Sequence, residues 1–186
     1  MTFEVLALAG SLRAASINAA LCRAAVRLAP GGLRVTVFPG LGDLPLFNPD
    51  LEADPPWPVQ ALRAAVARAH ALLIASPEYA HGIAGPMKNA LDWLVSFEGT
   101  VGKPVALFNA SPRARHADEA LREVLQTMSA TVVPSASPTL ALLGACTTEE
   151  AMLADPGVSR AIRSALDGLE THLAGDTAPG ASFPLG

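Results

Sequence analysis

An apolar run, FEVLALA (3–9), stops at Gly10, and a helical pattern opens near Ile17. The stretch between and around them, AGSLRAASIN (9–18), is short, polar and bounded by small residues. A buried strand that turns into a helix through such a loop is a place to hold phosphate. Its backbone N–H groups and the helix N-terminus face the ligand, and the helix dipole favours negative charge. Ser11, Ser16 and Asn18 add short hydrogen-bonding side chains, and Arg13 adds a fork of donors that matches phosphate oxygens. The plain alternative is an ordinary strand-to-helix loop in which Ser16 caps the helix and Arg13 lies in solvent. No Gly-Lys-Ser/Thr closes the loop, so it is not a P-loop. Gly10 is the only glycine before Gly31, so the dinucleotide fingerprint is absent too. The chemistry suits one terminal phosphate better than a pyrophosphate.

Strand and helix patterns then alternate. Ile17, Leu21, Ala24 and Leu28 recur at helical spacing until Pro30-Gly31-Gly32, and 33–38 is a second strand with a β-branched centre. Residues 39–58 are rich in proline and turn formers and make a long surface excursion. Leu62, Ala65, Val66 and Ala69 mark a second helix, and ALLIA (71–75) is a short, wholly apolar third strand. Met87, Leu91, Leu94 and Val95 give the core face of a third helix starting at Pro86. Residues 104–109 make a fourth strand. Ala117, Leu121, Val124, Leu125 and Met128 line a fourth helix, 131–133 supply a fifth strand extending toward Leu142, and Ile162, Leu166, Leu169 and Leu173 line the last helix. Five strands separated by helices predict an α/β fold: a doubly wound, five-stranded parallel sheet of order 2-1-3-4-5 with helices on both faces. The predicted domain is 1–174, with a frayed Gly/Pro/Ala-rich tail from 175 to 186.

Composition excludes several classes. No apolar run approaches the roughly 20 residues of a membrane span. The N-terminus reads as a strand and not as a signal peptide. With 13 basic against 17 acidic residues, the chain has no basic footprint for nucleic acid. Cys22 and Cys146 fit neither a disulfide framework nor a metal site, and the expected location is cytoplasmic. Cys22 falls in the first helix as a small core residue.

In an open α/β sheet, ligands sit beyond the carboxyl ends of strands one and three. Strand three leads into SPEYAHGIAGPMKNALDWL (76–94), where prolines and glycines shape a turn carrying Tyr79 and His81. An aromatic ring and an imidazole beside a phosphate loop could border a planar ring. The bland reading makes Tyr79 a packing residue and His81 a loop histidine. Lys88 and Asp92 are spaced to pair on the third helix, Asn89 could brace the loop above it, and Trp93 is either core or subunit interface.

GSLRAASIN together with SPEYAHGIAGPMKNALDWL closely resembles the NADPH-dependent FMN reductase family of flavodoxin-like quinone, chromate and azo-dye reductases. The resemblance implies that Ser11, Arg13, Ser16 and Asn18 hold the FMN phosphate with help from the Ile17 amide. It implies that Pro77, Glu78 and Tyr79 line the isoalloxazine chiefly through backbone groups. The family usually has Asn after the Tyr. Here the residue is Ala80, so any contact there comes from its backbone. In place of the family's glycine-rich turn after strand four stands NASPRARHA (109–117), where Ser111 is a candidate for the pyrimidine end of the flavin. Arg113 and Arg115 in that turn are candidates to meet a nucleotide's phosphates.

The implied activity is hydride transfer from NADPH or NADH through bound FMN to a small-molecule acceptor: quinone, chromate, azo dye or free flavin. The protein supplies orientation, so no catalytic side chain is assigned and no metal is expected. The rivals are a non-enzymatic electron carrier of the flavodoxin type and a flavin-binding sensor. The mild acidity argues against the carrier, which usually docks through a strongly acidic face. The resemblance also implies a homodimer or homotetramer, with 39–58 and the third helix as candidate surfaces.

Overall fold

The computed structural model describes residues 1–142, 144 and 146–176. Five parallel strands form the sheet: β1 (Phe3–Ala9), β2 (Leu33–Val37), β3 (Ala71–Ala75), β6 (Pro104–Leu107) and β7 (Thr131–Val132). They lie in the order β2-β1-β3-β6-β7, which is the expected doubly wound order. A further small hairpin, β4 (Glu78–Tyr79) and β5 (Gly82–Ile83), stands outside the sheet, where the sequence showed only a shaped turn.

The middle strands are buried on both faces, as a parallel sheet requires. β1 alternates between two cores. Phe3, Val5 and Ala7 face α1 (Ile17–Leu28), α5 (Glu149–Ala154) and α6 (Pro156–Asp176). Leu6 and Leu8 face α2 (Trp57–Arg68), α3 (Gly85–Leu94) and α4 (Arg115–Thr127). Cys22 lies in the first core, and burial pushes its thiol up to about 12. It is a small apolar filler and not a nucleophile.

The 39–58 excursion is more closely tied down than its composition suggested. Leu41 and Leu44 are buried, and Phe47 packs edge-on against Trp93 at 5.1 Å. Asn89 braces this excursion: its Oδ1 accepts the Phe47 amide at 2.8 Å and its Nδ2 donates to the Pro45 carbonyl at 2.9 Å. Trp93 is wholly buried and its Nε1 donates to the same carbonyl, which makes it core within this chain. Lys88 and Asp92 pair at 2.6 Å as expected.

Several boundaries differ from expectation: β6 ends at Leu107, short of the expected 104–109, and β2 at Val37, one residue short. β7 spans only Thr131–Val132, yet the chain rejoins the sheet line after a turn: Leu140 N donates to Asn109 O at 2.7 Å. α5 was not foreseen, because one buried residue, Met152, gives no readable period. α6 runs through Gly175 to Asp176, two positions into the stretch assigned to the tail. Residues 177–186, the remainder of that expected tail, lie outside the described residues.

Candidate functional site at the carboxyl edge of the sheet

The loops that leave β1, β3 and β6 meet above the carboxyl ends of those strands and enclose a cleft of about 540 Å³. Gly10 allows the first two loops to close up. A Cβ there would lie 2.8 Å from Ser76 Cβ and 3.0 Å from Met87 Cβ, so a side chain would drive β1 and β3 apart at their tips. Its amide instead donates to the Ala75 carbonyl at 2.8 Å.

The β1–α1 loop supplies Ser11, Arg13, Ser16, Ile17 and Asn18 to one end of the cleft. Ser16 is the N-cap of α1, its Oγ accepting the Ala19 amide at 3.1 Å. A hydroxyl that accepts in this way keeps its own proton to donate, so capping and anion binding are compatible at Ser16. Asn18 is 6% exposed, and its buried Oδ1 has no hydrogen-bond partner. An unpaired buried amide oxygen costs free energy, and here it belongs to a residue that lines a cleft. The Arg13 side chain is exposed and has no acidic partner among the described residues.

The β3 loop supplies Pro77, Glu78 and Tyr79. The Glu78 carboxylate is turned away to α4, where its Oε2 accepts the Ala117 amide at 3.0 Å. This leaves the backbone as the polar surface that Glu78 offers the cleft. Tyr79 pairs with Gly82 across the hairpin, and the two residues at its tip, Ala80 and His81, have φ of +49° and +58°. That is the two-residue hairpin turn with both central residues left-handed, usually filled by Asn and Gly. Ala80 sits at the tip and does not line the cleft, unlike the other sequence-derived site residues.

The third wall comes from the β6–α4 loop. Asn109, which the sequence did not single out, organises it. Its Oδ1 accepts the Ser111 amide at 3.0 Å and its Nδ2 donates to the Ala114 carbonyl at 3.2 Å. The signal was present: an Asn directly after an apolar strand is a turn-former through its own side chain. Ser111 Oγ accepts the Arg113 amide at 3.2 Å, and Ser111 and Arg113 both line the cleft. Thr147, also unforeseen, completes the lining from far along the chain. Nothing local in the sequence marked it.

Among the described residues no cluster of His, Cys, Asp or Glu could hold a metal ion, and no helix is long and apolar enough to cross a membrane. The cleft is furnished with short hydroxyls, backbone amides and guanidinium groups. Such a set suits the phosphate of a planar ligand.

Residues 3–142 match a family model described as NADPH-dependent FMN reductase. A quinone reductase of Escherichia coli K12 is 34% identical over 112 residues, which cover 58% of this chain and 60% of that one. An NAD(P)H-dependent FMN reductase of Pseudomonas aeruginosa is 38% identical over 111 residues, with 58% and 60% covered. The chain thus spans about 60% of the length of these curated relatives. Among solved structures, a flavoenzyme NAD(P)H:(acceptor) oxidoreductase from Paracoccus denitrificans aligns with a TM-score of 0.75 at 25% identity. That alignment covers 94% of this chain and 98% of that one.

Proposed function

The chain belongs to the NADPH-dependent FMN reductase family, and from that premise we propose that it is an FMN-dependent NAD(P)H oxidoreductase. It passes hydride from NADPH or NADH to a small acceptor, with quinones as the first class and chromate, azo dyes and free flavin as the others. The observation that carries this reading is the cleft itself. It joins a capped, arginine-bearing loop at one end to the backbone-lined β3 loop at the other, at the switch point of the sheet.

The residues fit FMN. Ser11, Arg13, Ser16 and Asn18 hold the phosphate, with the Ile17 amide at the start of α1. Pro77, Glu78 and Tyr79 border the ring through their backbone, and Ser111 stands at its far edge. When bound, FMN supplies a hydride acceptor and donor at its ring N5. The protein's part is orientation and access. Asn109 fixes the loop that carries Ser111, and Glu78 fixes the hairpin against α4.

We place residues 1–174 in one flavin-binding domain, in the cytoplasm, as a homodimer or homotetramer. Leu46 at 84% exposure and Trp57 at 76% offer apolar surface for such an assembly.

Anaerobic addition of NADPH or NADH to the FMN-loaded protein tests the reading. The yellow absorbance bleaches and a quinone restores it. A bound flavin that neither nucleotide bleaches would leave an electron carrier or a sensor. Titration of apo-protein with FMN and FAD tests the single-phosphate character of the loop, and tighter FAD binding would overturn it.

A further inference from the structure

A second cavity, of about 210 Å³, lies where the chain that leaves β2 meets the start of α2, and it shares no lining residue with the cleft. Phe38, Pro39 and Gly40 contribute from the first segment and Trp57 and Pro58 from the second. Asp43 joins them from the 3-10 turn Leu41–Asp43. Phe38 is packed against the core beneath it and makes a fixed wall. Trp57 is mostly exposed and has no ring partner among the described residues, unlike the buried Trp93.

The ring of Phe38 and the carboxylate of Asp43 converge. A Cβ on Gly40 would lie 3.3 Å from Phe38 Cζ and 3.8 Å from Asp43 Oδ2, so both reach toward a point that the glycine leaves open. Asp43 is the sole ionisable residue on this lining, and it makes no ion pair among the described residues. Arg13 is next to Leu12, which touches Gly42, yet Arg13 lines the cleft and does not pair with Asp43.

The start of α2 does not turn the cavity toward anions. Pro56 and Pro58 have no N–H, and the Val59 amide donates to the Pro56 carbonyl at 2.9 Å. Of the four donors that a helix N-terminus usually presents, only the Trp57 amide is left. Aromatic walls, one uncompensated carboxylate and few donors together match an organic cation. A quaternary ammonium brings positive charge and apolar surface, with no N–H of its own to satisfy. The cavity is smaller than the roughly 300 Å³ at which sites for drug-sized ligands begin. It therefore holds a headgroup and not a whole cofactor.

We propose that the cavity between Phe38 and Trp57 is a binding site for a small quaternary ammonium ion, held by the two aromatic side chains with Asp43 as its counter-charge. No residue of the cleft takes part, so the site stands apart from the flavin chemistry proposed above.

The test is an NMR titration of isotope-labelled protein with tetramethylammonium chloride at constant ionic strength. Trp57 and Trp93 are the two tryptophans of the chain, so two indole N–H signals report on it. Trp57→Phe identifies which is which. The Trp57 signal shifts and saturates with a millimolar Kd, while the Trp93 signal stays in place. 3,3-Dimethylbutan-1-ol, a neutral molecule of similar shape, binds about threefold to fivefold more weakly, and Asp43→Asn raises the Kd of the ion by about the same factor, as expected for one exposed charge contact. The remaining signals of Asp43→Asn report its folding, and the comparison with the neutral alcohol needs no variant. A Trp57 shift that never saturates overturns the proposal. So does equal binding of the alcohol, which would leave an apolar patch, or an Asp43→Asn Kd equal to wild type. A Trp57 signal that responds to protein dilution and not to the ion gives this face to a second copy of the chain, and also overturns it.

Discussion

The Glu78 carboxylate accepts the Ala117 amide at 3.0 Å, joining the hairpin after β3 to the first turn of α4. A carboxylate at that position satisfies one of the orphan N–H groups of the helix and meets the positive end of its dipole. The same contact holds two walls of the cleft in register, because Glu78 lines one and the residues just before α4 line the other.

Removing it should therefore be felt in stability and in the site together. Glu78→Ala is expected to cost about 0.5–2 kcal/mol, the range for losing a helix cap. Glu78→Gln keeps an acceptor oxygen and should lose less. Urea unfolding of both variants checks the order. Equal stability of Glu78→Ala and wild type would show that the contact is not maintained in solution.

Arg13→Ala should weaken FMN binding more than His81→Ala. A charge-assisted phosphate contact is worth about 1.5–3 kcal/mol, or roughly one to two decades in affinity. His81 stands at the exposed hairpin tip against His116 and does not line the cleft. Fluorescence titration of apo-proteins with FMN decides it, and an Arg13→Ala Kd equal to wild type removes Arg13 from the phosphate end.

The hairpin tip stores strain that can be relieved. Ala80 at φ +49° occupies a left-handed conformation that costs an L-alanine about 1–2 kcal/mol. Asn tolerates that conformation better, so Ala80→Asn should stabilise the protein by up to about 1 kcal/mol. A lower urea midpoint for Ala80→Asn would count against the turn geometry.

Acid sensitivity should come in part from Asp155. Its carboxylate precedes α6 and accepts the Gly157 amide at 2.8 Å and the Val158 amide at 2.9 Å. The Val158 and then the Gly157 hydrogen bonds hold its carboxyl below the ordinary carboxylate value. A depressed folded-state value means that the contribution is fully present above the unfolded value near 3.8 and disappears as pH falls through the lower folded value. Between about pH 5 and pH 2.5, Asp155→Asn should lose less stability than wild type. Parallel urea midpoints across that range would remove Asp155 as a source of the acid response.

The sequence by itself determined the sheet and the two loops that meet at the cleft. Apolar strands bounded by loops and alternating with 3.6-periodic helices leave little choice but a doubly wound parallel sheet. The sheet then brings the carboxyl ends of β1 and β3 side by side. Ser11 to Asn18 and Pro77 to Tyr79 were legible because each cluster is local: its turn chemistry, caps and short donors lie within a few residues of one another.

Only the tertiary structure decided the rest, because those features depend on partners far apart in the chain. Asn89 could be read as a brace, but that it holds the 44–47 backbone required α3 to meet the excursion. Thr147 joins the cleft from a segment with no periodicity of its own. The Glu78–Ala117 contact and the His81–His116 stack both arise from docking the hairpin on α4. The Ala80–His81 turn shows the same limit from the other side. Its residues do not favour positive φ as Asn-Gly would, and the hairpin is held in that shape by what it packs against.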